Sequence, residues 1–208
     1  MNDVLKTAPK DCSLCPLSQS RTQVVYPDVF QNSKDSINTL IIGEAPGANE
    51  DKKGKPFVGA SGKILRKELH TLPGTVIITN TVKCRPPENR NPKKEEKDAC
   101  NPFLKKEIDH YNPDYIILVG RIASSLFIPN KELKNFTDLS GIIFKDNLIP
   151  ILHPASTMYN AKKNRPVWLE SWDKIRSYLK EKYPDATFRE KEETSEKTKT
   201  KSLIDWVK

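Results

Sequence analysis

Four short apolar runs alternate with stretches of helical character in the central part of the chain. The runs lie at 40–42, 76–79, 115–119 and 148–152, and each is rich in Ile, Leu and Val. Apolar strands that alternate with helices are typical of an α/β fold with a parallel sheet. The sequence therefore predicts a three-layer α/β/α sandwich with a central four-stranded, mainly parallel sheet.

Helices are predicted at three places between and after these strands. The first, Ser61–Thr71, follows a Gly-rich loop, and the second covers Pro92–His110, where Pro102 is expected to break or kink it. The third runs from about Arg165 to Tyr183, just before a proline. Its apolar residues recur at helical spacing, which indicates a face buried in the core: Trp168, Trp172, Ile175 and Leu179.

The chain is expected to hold one domain followed by a tail. Its 208 residues suffice for a single core. We expect residues 1–183 to form this domain, with residues 1–36 as an irregular arm. Residues 184–208 are rich in Glu, Lys and Thr, and a disordered charged tail is predicted there. No apolar run approaches the roughly 20 residues of a membrane span, and the first residues do not form a signal peptide.

Each predicted strand is followed by a distinctive motif. Gly43–Gly47 (Gly-Glu-Ala-Pro-Gly) comes after the first, Asn80 after the second, Gly120-Arg121 after the third and His153–Ser156 (His-Pro-Ala-Ser) after the fourth. The carboxyl ends of parallel strands open onto one edge of the sheet, where such folds place their ligand crevice. We expect the four motifs to converge on one pocket, which is typical of an enzyme.

The charge of the chain favours a polyanionic partner. The formal net charge is +8 and the pI about 9.2. Three basic clusters border the motif loops, where a nucleic-acid backbone crossing the pocket mouth would meet them all; the alternative is an ordinary solvated rim. The clusters are Lys52, Lys53 and Lys55; Lys83, Arg85, Arg90, Lys93 and Lys94; and Lys162, Lys163 and Arg165. Together with the lack of a signal peptide, this favours a cytoplasmic, nucleoid-associated protein. We expect it to be a monomer.

Four cysteines indicate a metal or cluster site. Cys12 and Cys15 form a Cys-x2-Cys pair, and Cys84 and Cys100 follow much later. Because intracellular proteins rarely keep disulfides, such a set favours metal binding over cross-linking. Four thiolates suit either tetrahedral zinc or a [4Fe–4S] cluster, and the spacing leaves both open.

Together the motifs resemble the family 4 uracil-DNA glycosylases, the iron–sulfur members of their superfamily. The resemblance covers about residues 10 to 180, with all four cysteines at matching places. It rests on Gly43–Asp51 (GEAPGANED), Gly54–Gly59 (GKPFVG), Thr79–Pro87 (TNTVKCRPP) and His153–Ser156 (HPAS). It implies a structural [4Fe–4S] cluster on the cysteines. It also implies a monofunctional glycosylase that hydrolyses the bond between uracil and deoxyribose and leaves an abasic site for base-excision repair.

The expected chemistry assigns a role to three side chains. A base inside a duplex is out of reach, so the enzyme must flip uracil into its pocket. The amide of Asn80 both donates and accepts, so it can pair with uracil O4 and N3 and reject cytosine. A neutral His153 can donate to uracil O2 and stabilise the charge that develops there. By the resemblance, Phe57 stacks on the uracil ring.

The group that positions the water is left open. The best-known uracil glycosylases carry an aspartate in the first motif, where this chain has Ala45. Glu50 and Glu44 are the candidates, and we expect Glu50 to be a catalytic pocket residue that can also exclude the thymine methyl group. Peptide groups between Gly43 and Gly47 are expected to contact the base.

Contacts to DNA are predicted on both sides of the pocket. Met158 or Tyr159 would enter the vacated base stack as a wedge. The remaining contacts are expected from one serine and five basic side chains near the motifs: Ser156, Lys83, Arg85, Lys162, Lys163 and Arg165.

The last residues resemble the motif by which proteins dock on a PCNA-type sliding clamp. Leu203, Trp206 and Val207 have the spacing of the apolar hook, while Thr200 stands where the usual Gln would be. A last helical turn packed on the domain is the alternative. Two other functions are also open: a glycosylase for another deaminated base, such as hypoxanthine or xanthine, and a non-catalytic iron–sulfur DNA-binding scaffold.

Overall fold

The computed structural model describes residues 4–145 and 147–190, and its centre is a five-stranded sheet. The strands are β1 (Asp28–Gln31), β2 (Asn38–Gly43), β3 (Thr75–Asn80), β4 (Tyr115–Val119) and β5 (Leu148–Ile151), in the spatial order β1-β3-β2-β4-β5. Strands β2 to β5 pair in parallel with one another, and β1 runs antiparallel to β3. The predicted α/β class is confirmed, and the predicted count of four strands is corrected to five.

The additional strand lies in the segment predicted to be an irregular arm. Val29 of β1 pairs with Ile77, and Phe30 pairs with Val76. Strand β1 has only four residues, and none of them is fully buried. Such a short edge strand, half apolar and flanked by polar residues, lacks the long apolar run that marks the central strands.

Six helices connect and cover these strands in the described part of the chain. Their bounds are α1 (Ala48–Lys53), α2 (Ala60–Leu69), α3 (Lys94–Tyr111), α4 (Arg121–Ser124), α5 (Ser156–Tyr159) and α6 (Ala161–Lys182). Helix α3 continues through Pro102, so the expected break is wrong. Helix α6 begins before its predicted start and likewise contains a proline, Pro166. No helix in the described residues is long and apolar enough to cross a membrane.

The core lies between the sheet and the helices. The four apolar residues predicted for the buried face of α6 are all buried, and Trp168 and Trp172 pack edge to face with ring centroids 5.6 Å apart. The residues that follow α6 still contact the domain. Ala186 and Phe188 pack against the core, and the backbone N–H of Thr187 donates to Asp35 at 2.9 Å. Residues 184–190 therefore belong to the folded unit rather than to the predicted disordered tail.

Candidate active site

The motifs converge at the carboxyl edge of the sheet, as the sequence predicts for a parallel fold. Gly43 ends β2 and Asn80 ends β3, and the two residues are register partners on adjacent strands. His153 follows β5 by two residues. These residues surround a cavity of about 140 Å³, much smaller than the pocket of a drug-sized ligand. Its lining is Ala45, Gly47, Glu50, Phe57, Ser61, Asn80 and His153.

Gly43 makes this cavity possible. A Cβ atom at this position would collide with Oδ1 of Asn80 and would lie 2.5 Å from Cζ of Phe57. Both side chains therefore occupy the space that any other residue would fill. The glycine of the first motif sets how closely the amide and the ring approach the strand end.

The Phe57 loop is held from both sides. Phe57 is buried and has φ of 52°, a left-handed conformation that bulky residues rarely adopt and that surrounding contacts must enforce. Nε of Arg66 donates to the carbonyl oxygen of Phe57 at 2.8 Å. On the following residues, Oε1 of Glu50 accepts the backbone N–H groups of Val58 and Gly59, both at 2.8 Å. Glu50 thus fixes the loop that carries the ring.

His153 is arranged as a neutral donor. Its Nδ1 accepts a hydrogen bond from the backbone N–H of Ala155 at 3.2 Å, so the neutral ring carries its proton on Nε2. Burial lowers the pKa of His153 below its ordinary 6.5, and the nearby Glu50 carboxylate opposes that shift. Gly120, at φ of 89°, leaves room for this side chain, since a Cβ there would lie 3.3 Å from Cβ of His153.

A second cavity lies on the other side of the first motif. Its volume is about 180 Å³, and it shares Ala45, Gly47 and His153 with the first. Glu44 also lines this second cavity, and burial raises the pKa of its carboxyl group while Lys97 partly offsets the shift. A carboxyl group of raised pKa in a cavity that His153 also lines is suited to handling a proton or a water molecule.

The four cysteines come together in a second, smaller core. Cys84 and Cys100 are buried, Cys12 and Cys15 pack against them, and none forms a disulfide. Burial raises the pKa of Cys100 to about 11, and the charge of the Cys84 thiolate adds to that shift. A raised pKa disfavours the charged thiolate, so ionising these thiols requires a nearby positive charge. Nη1 of Arg21 supplies part of this role, since it donates to Sγ of Cys84 at 3.3 Å.

Four sulfur ligands in one place suit either zinc or a [4Fe–4S] cluster. Among the described residues, no three His, Cys, Asp or Glu side chains gather closely enough to hold one metal ion. In a [4Fe–4S] cluster each thiolate binds a different iron, so the four sulfurs stand further apart than around zinc. Ala45, which lines the first cavity, packs against the same small core. The cysteine site and the pocket are therefore neighbours.

Lys83 is not available to DNA, contrary to the sequence-based expectation. Its side chain is only 2% exposed, and its Nζ lies 2.7 Å from Oε2 of Glu107, which is fully buried. A lysine this deep cannot reach a phosphate at the surface. A local run of basic residues does not reveal such a partner, because Glu107 is 24 positions away on α3.

The other predicted DNA contacts are more accessible. Tyr159 is 89% exposed and Met158 51% exposed, next to the cavity motif. Lys162, Lys163 and Arg165 are exposed in the first turns of α6. The remaining two differ: Nε of Arg85 donates to Oδ1 of Asn89 at 2.8 Å, and Oγ of Ser156 is buried without a hydrogen-bond partner in the described part of the chain.

Sequence reasoning missed one residue of the pocket lining and one residue that supports it. Ser61 lines the cavity from the first turn of α2, and Arg66 on the same helix holds the Phe57 loop. The Gly-rich loop before α2 signalled that a helix start faces the site. Which of its side chains turn inward depends on the loop conformation, which the sequence did not reveal.

Residues 30–176 match the sequence profile of the Uracil DNA glycosylase superfamily. Several curated relatives named type-4 uracil-DNA glycosylase extend this likeness over most of the chain. The one from Sulfurisphaera tokodaii is 37% identical over 179 residues, covering 79% of each protein.

Two further relatives support the same family. The type-4 uracil-DNA glycosylase of Thermotoga maritima is 36% identical over 186 residues, which is 86% of this chain and 94% of the relative. That of Archaeoglobus fulgidus is 39% identical over 161 residues, 71% of this chain and 78% of the relative. The chain therefore belongs to the type-4 uracil-DNA glycosylases of this superfamily, and the resemblance read from its motifs is confirmed.

Proposed function

We propose that this protein hydrolyses the glycosidic bond of uracil in DNA and leaves an abasic site for base-excision repair. The observation that carries the proposal is the convergence of Asn80, Phe57 and His153 on one small cavity. An amide, an aromatic ring and a neutral imidazole donor are what recognition of a single flipped pyrimidine requires. Membership of the type-4 family supports the same reaction.

Base recognition falls to the first two of these side chains. Uracil enters with its ring against Phe57 and its O4 and N3 toward the Asn80 amide. The amide nitrogen donates to O4 and the amide oxygen accepts from N3–H. Cytosine offers a donor and an acceptor in the opposite arrangement, so it leaves both amide groups of Asn80 unpaired, which is costly in a buried site.

Bond cleavage depends on His153. As the bond between C1′ and N1 breaks, its electron pair leaves with the base, and negative charge spreads to uracil O2. The Nε2–H of a neutral His153 donates to that oxygen. A water oxygen then bonds to C1′ and releases a proton, which completes the abasic sugar. A donor aimed at developing charge of this kind typically contributes about 10²–10³ in rate.

The two glutamates near the first motif have different tasks in this proposal. Oε1 of Glu50 is occupied by two backbone N–H groups, which favours a positioning role for the Phe57 loop beside any contact with the base. Glu44 lines the adjoining cavity together with His153, and its raised pKa suits a group that takes a proton from water. We therefore assign the water to Glu44 rather than to Glu50.

We also propose that Cys12, Cys15, Cys84 and Cys100 hold a [4Fe–4S] cluster, with zinc as the alternative. The cluster would contribute folding stability, because it ties the N-terminal arm to β3 and α3. Ala45 of the first cavity packs against the small core that contains these cysteines, so the cluster would also support that wall. DNA would approach over the exposed side chains near α5 and α6, with Met158 or Tyr159 as the wedge and Lys162, Lys163 and Arg165 on phosphates.

The sliding-clamp hypothesis stays a prediction. Leu203, Trp206 and Val207 lie outside the described residues, so only the sequence pattern supports it. Binding of the full chain to a PCNA-type clamp, compared with a chain ending at residue 190, tests it directly. Equal binding by both chains would contradict the hypothesis that these residues bind the clamp.

The glycosylase proposal is tested with an oligonucleotide that carries one uracil. Anaerobically purified protein is incubated with the labelled strand, and alkali then cuts it at abasic sites. We expect cutting by the wild type and a loss of about 10²–10³ in rate for His153→Ala. Oligonucleotides that carry hypoxanthine or xanthine are treated in the same way in parallel. Cutting of one of these, with the uracil strand intact, would replace uracil as the substrate, while DNA binding without any cutting would favour a scaffold.

A further inference from the structure

Lys83 places all three ammonium protons on fixed acceptors inside the protein. Its Nζ donates at 2.7 Å to each of the carbonyl oxygen of Asn80, Oγ1 of Thr79 and Oε2 of Glu107. An ammonium group has three donors, so this lysine is fully satisfied without water. One of its three bonds ends on the backbone of the residue whose amide lines the base pocket.

Glu107 is equally well bound. Besides Lys83, its Oε2 accepts from Oγ1 of Thr79 at 2.8 Å and its Oε1 accepts from Oγ1 of Thr7 at 3.0 Å. The carboxylate is fully buried. A buried ion pair is weak evidence for stability, because well-packed apolar residues often replace it at no cost. Its geometry is therefore better explained by what it positions.

The backbone of Lys83 is fixed as firmly as its side chain. Its carbonyl oxygen accepts from the backbone N–H of Val25 at 2.8 Å, and its own backbone N–H donates to the thiol of Cys100. Lys83 thus stands between the cysteine site and the end of β3. Its backbone faces the cysteines, and its side chain turns back onto Asn80.

We propose that Lys83 and Glu107 form a positioning pair that holds Asn80 at the angle needed to read the flipped base. Asn80 is the last residue of β3, and the backbone N–H of the next residue, Thr81, still donates to the carbonyl of Gly43 at 2.8 Å. The lysine adds a donor to the Asn80 carbonyl itself. Moving the Asn80 carbonyl moves its Cα and the amide with it, and a misplacement of about 1 Å can cost about 10²-fold in rate.

This inference rests on the proposed function, since Asn80 must read the base for its position to matter. The test is a double-mutant cycle between the pair and Asn80. The pair is replaced together, as Lys83→Met with Glu107→Leu, so that no unpaired charge stays buried. Rates are measured in single turnover at saturating enzyme, which removes differences in DNA affinity. Metal content and melting temperature are measured on every variant.

We expect the pair replacement to lower the single-turnover rate by about 10²-fold in the wild-type background. In the Asn80→Ala background the same replacement should change the rate by no more than about twofold, because the group it positions is gone. A purely structural role would lower both rates alike. An equal loss in both backgrounds, or no loss in either, would overturn the proposal.

Two further variants keep the result interpretable. Arg176→Met with Glu68→Leu removes a different ion pair, 2.9 Å long and away from the cavity lining, and should leave the rate unchanged. If the pair replacement does not fold, Glu107→Gln enters the same cycle. The failure of the proposed function is seen separately: the wild type would then leave uracil in place, or Asn80→Ala would cleave at the full rate.

Discussion

Nδ1 of His153 accepts the backbone N–H of Ala155, two residues further along the chain. This contact leaves only Nε2 to carry the proton of the neutral ring. The His-Pro-Ala-Ser motif therefore does more than place an imidazole at the pocket. Its own backbone selects the tautomer that can donate to a base.

His153 should titrate below the ordinary histidine pKa of 6.5. Because burial lowers its pKa below 6.5, the ring should stay neutral as the pH falls through 6.5, and the reaction should keep its donor there. The unfolded chain binds this proton first, so folding stability should decrease as the pH falls below 6.5. Imidazole NMR resonances followed through a pH titration give the pKa, with His153→Gln to assign the signal. A pKa at or above 6.5 would contradict the assignment.

Gly43→Ala should close the pocket. The added methyl group meets Oδ1 of Asn80 and the ring of Phe57, so one of them must move. Overpacking of this kind costs about 1–3 kcal/mol in the free energy of unfolding, and we expect a rate loss of about 10²-fold on uracil DNA. DNA affinity serves as the control, since the basic surface is untouched. A variant with wild-type rate would show that the amide and ring can relax.

Glu50 and Glu44 can be separated by amide substitution. Glu50→Gln keeps an acceptor for the N–H groups of Val58 and Gly59, so its rate should fall by only about tenfold, as a charged hydrogen bond becomes a neutral one. Glu44→Gln removes the base that we assign to the water and should cost about 10²–10⁴. Single-turnover rates decide between them. A larger rate loss for Glu50→Gln than for Glu44→Gln would show that Glu50 positions the water.

The sequence predicted the parallel part of the fold because long apolar runs and the motifs behind them are local signals. It missed β1, where Val29 and Phe30 are partly buried at an edge and give no such run. The pocket residues of the motifs were likewise found, since parallel strands bring their carboxyl ends together. Lys83 was misplaced because its burial depends on Glu107, which approaches only when α3 packs on the sheet. Tertiary partners of this kind leave no trace in local composition.

The cysteine site should contain iron. If Cys12, Cys15, Cys84 and Cys100 hold a [4Fe–4S] cluster, anaerobic protein should contain about four iron atoms per chain, and Cys84→Ser should lose iron and melt at a lower temperature. Metal analysis and thermal melting measure both. About one zinc ion per chain would instead establish the tetrahedral alternative.

The surface near α6 should carry the salt dependence of DNA binding. Lys162 and Lys163 are exposed at its start, and each phosphate contact contributes about −0.9 to the slope of log K against log salt. Replacing both with Ala should therefore make the slope shallower by about 1 to 2. Lys180→Ala with Lys182→Ala is the matched control, since it also removes two positive charges from the same helix, about 27 Å away. An unchanged slope in the double variant, or an equal change in the control, would move the DNA path to another face.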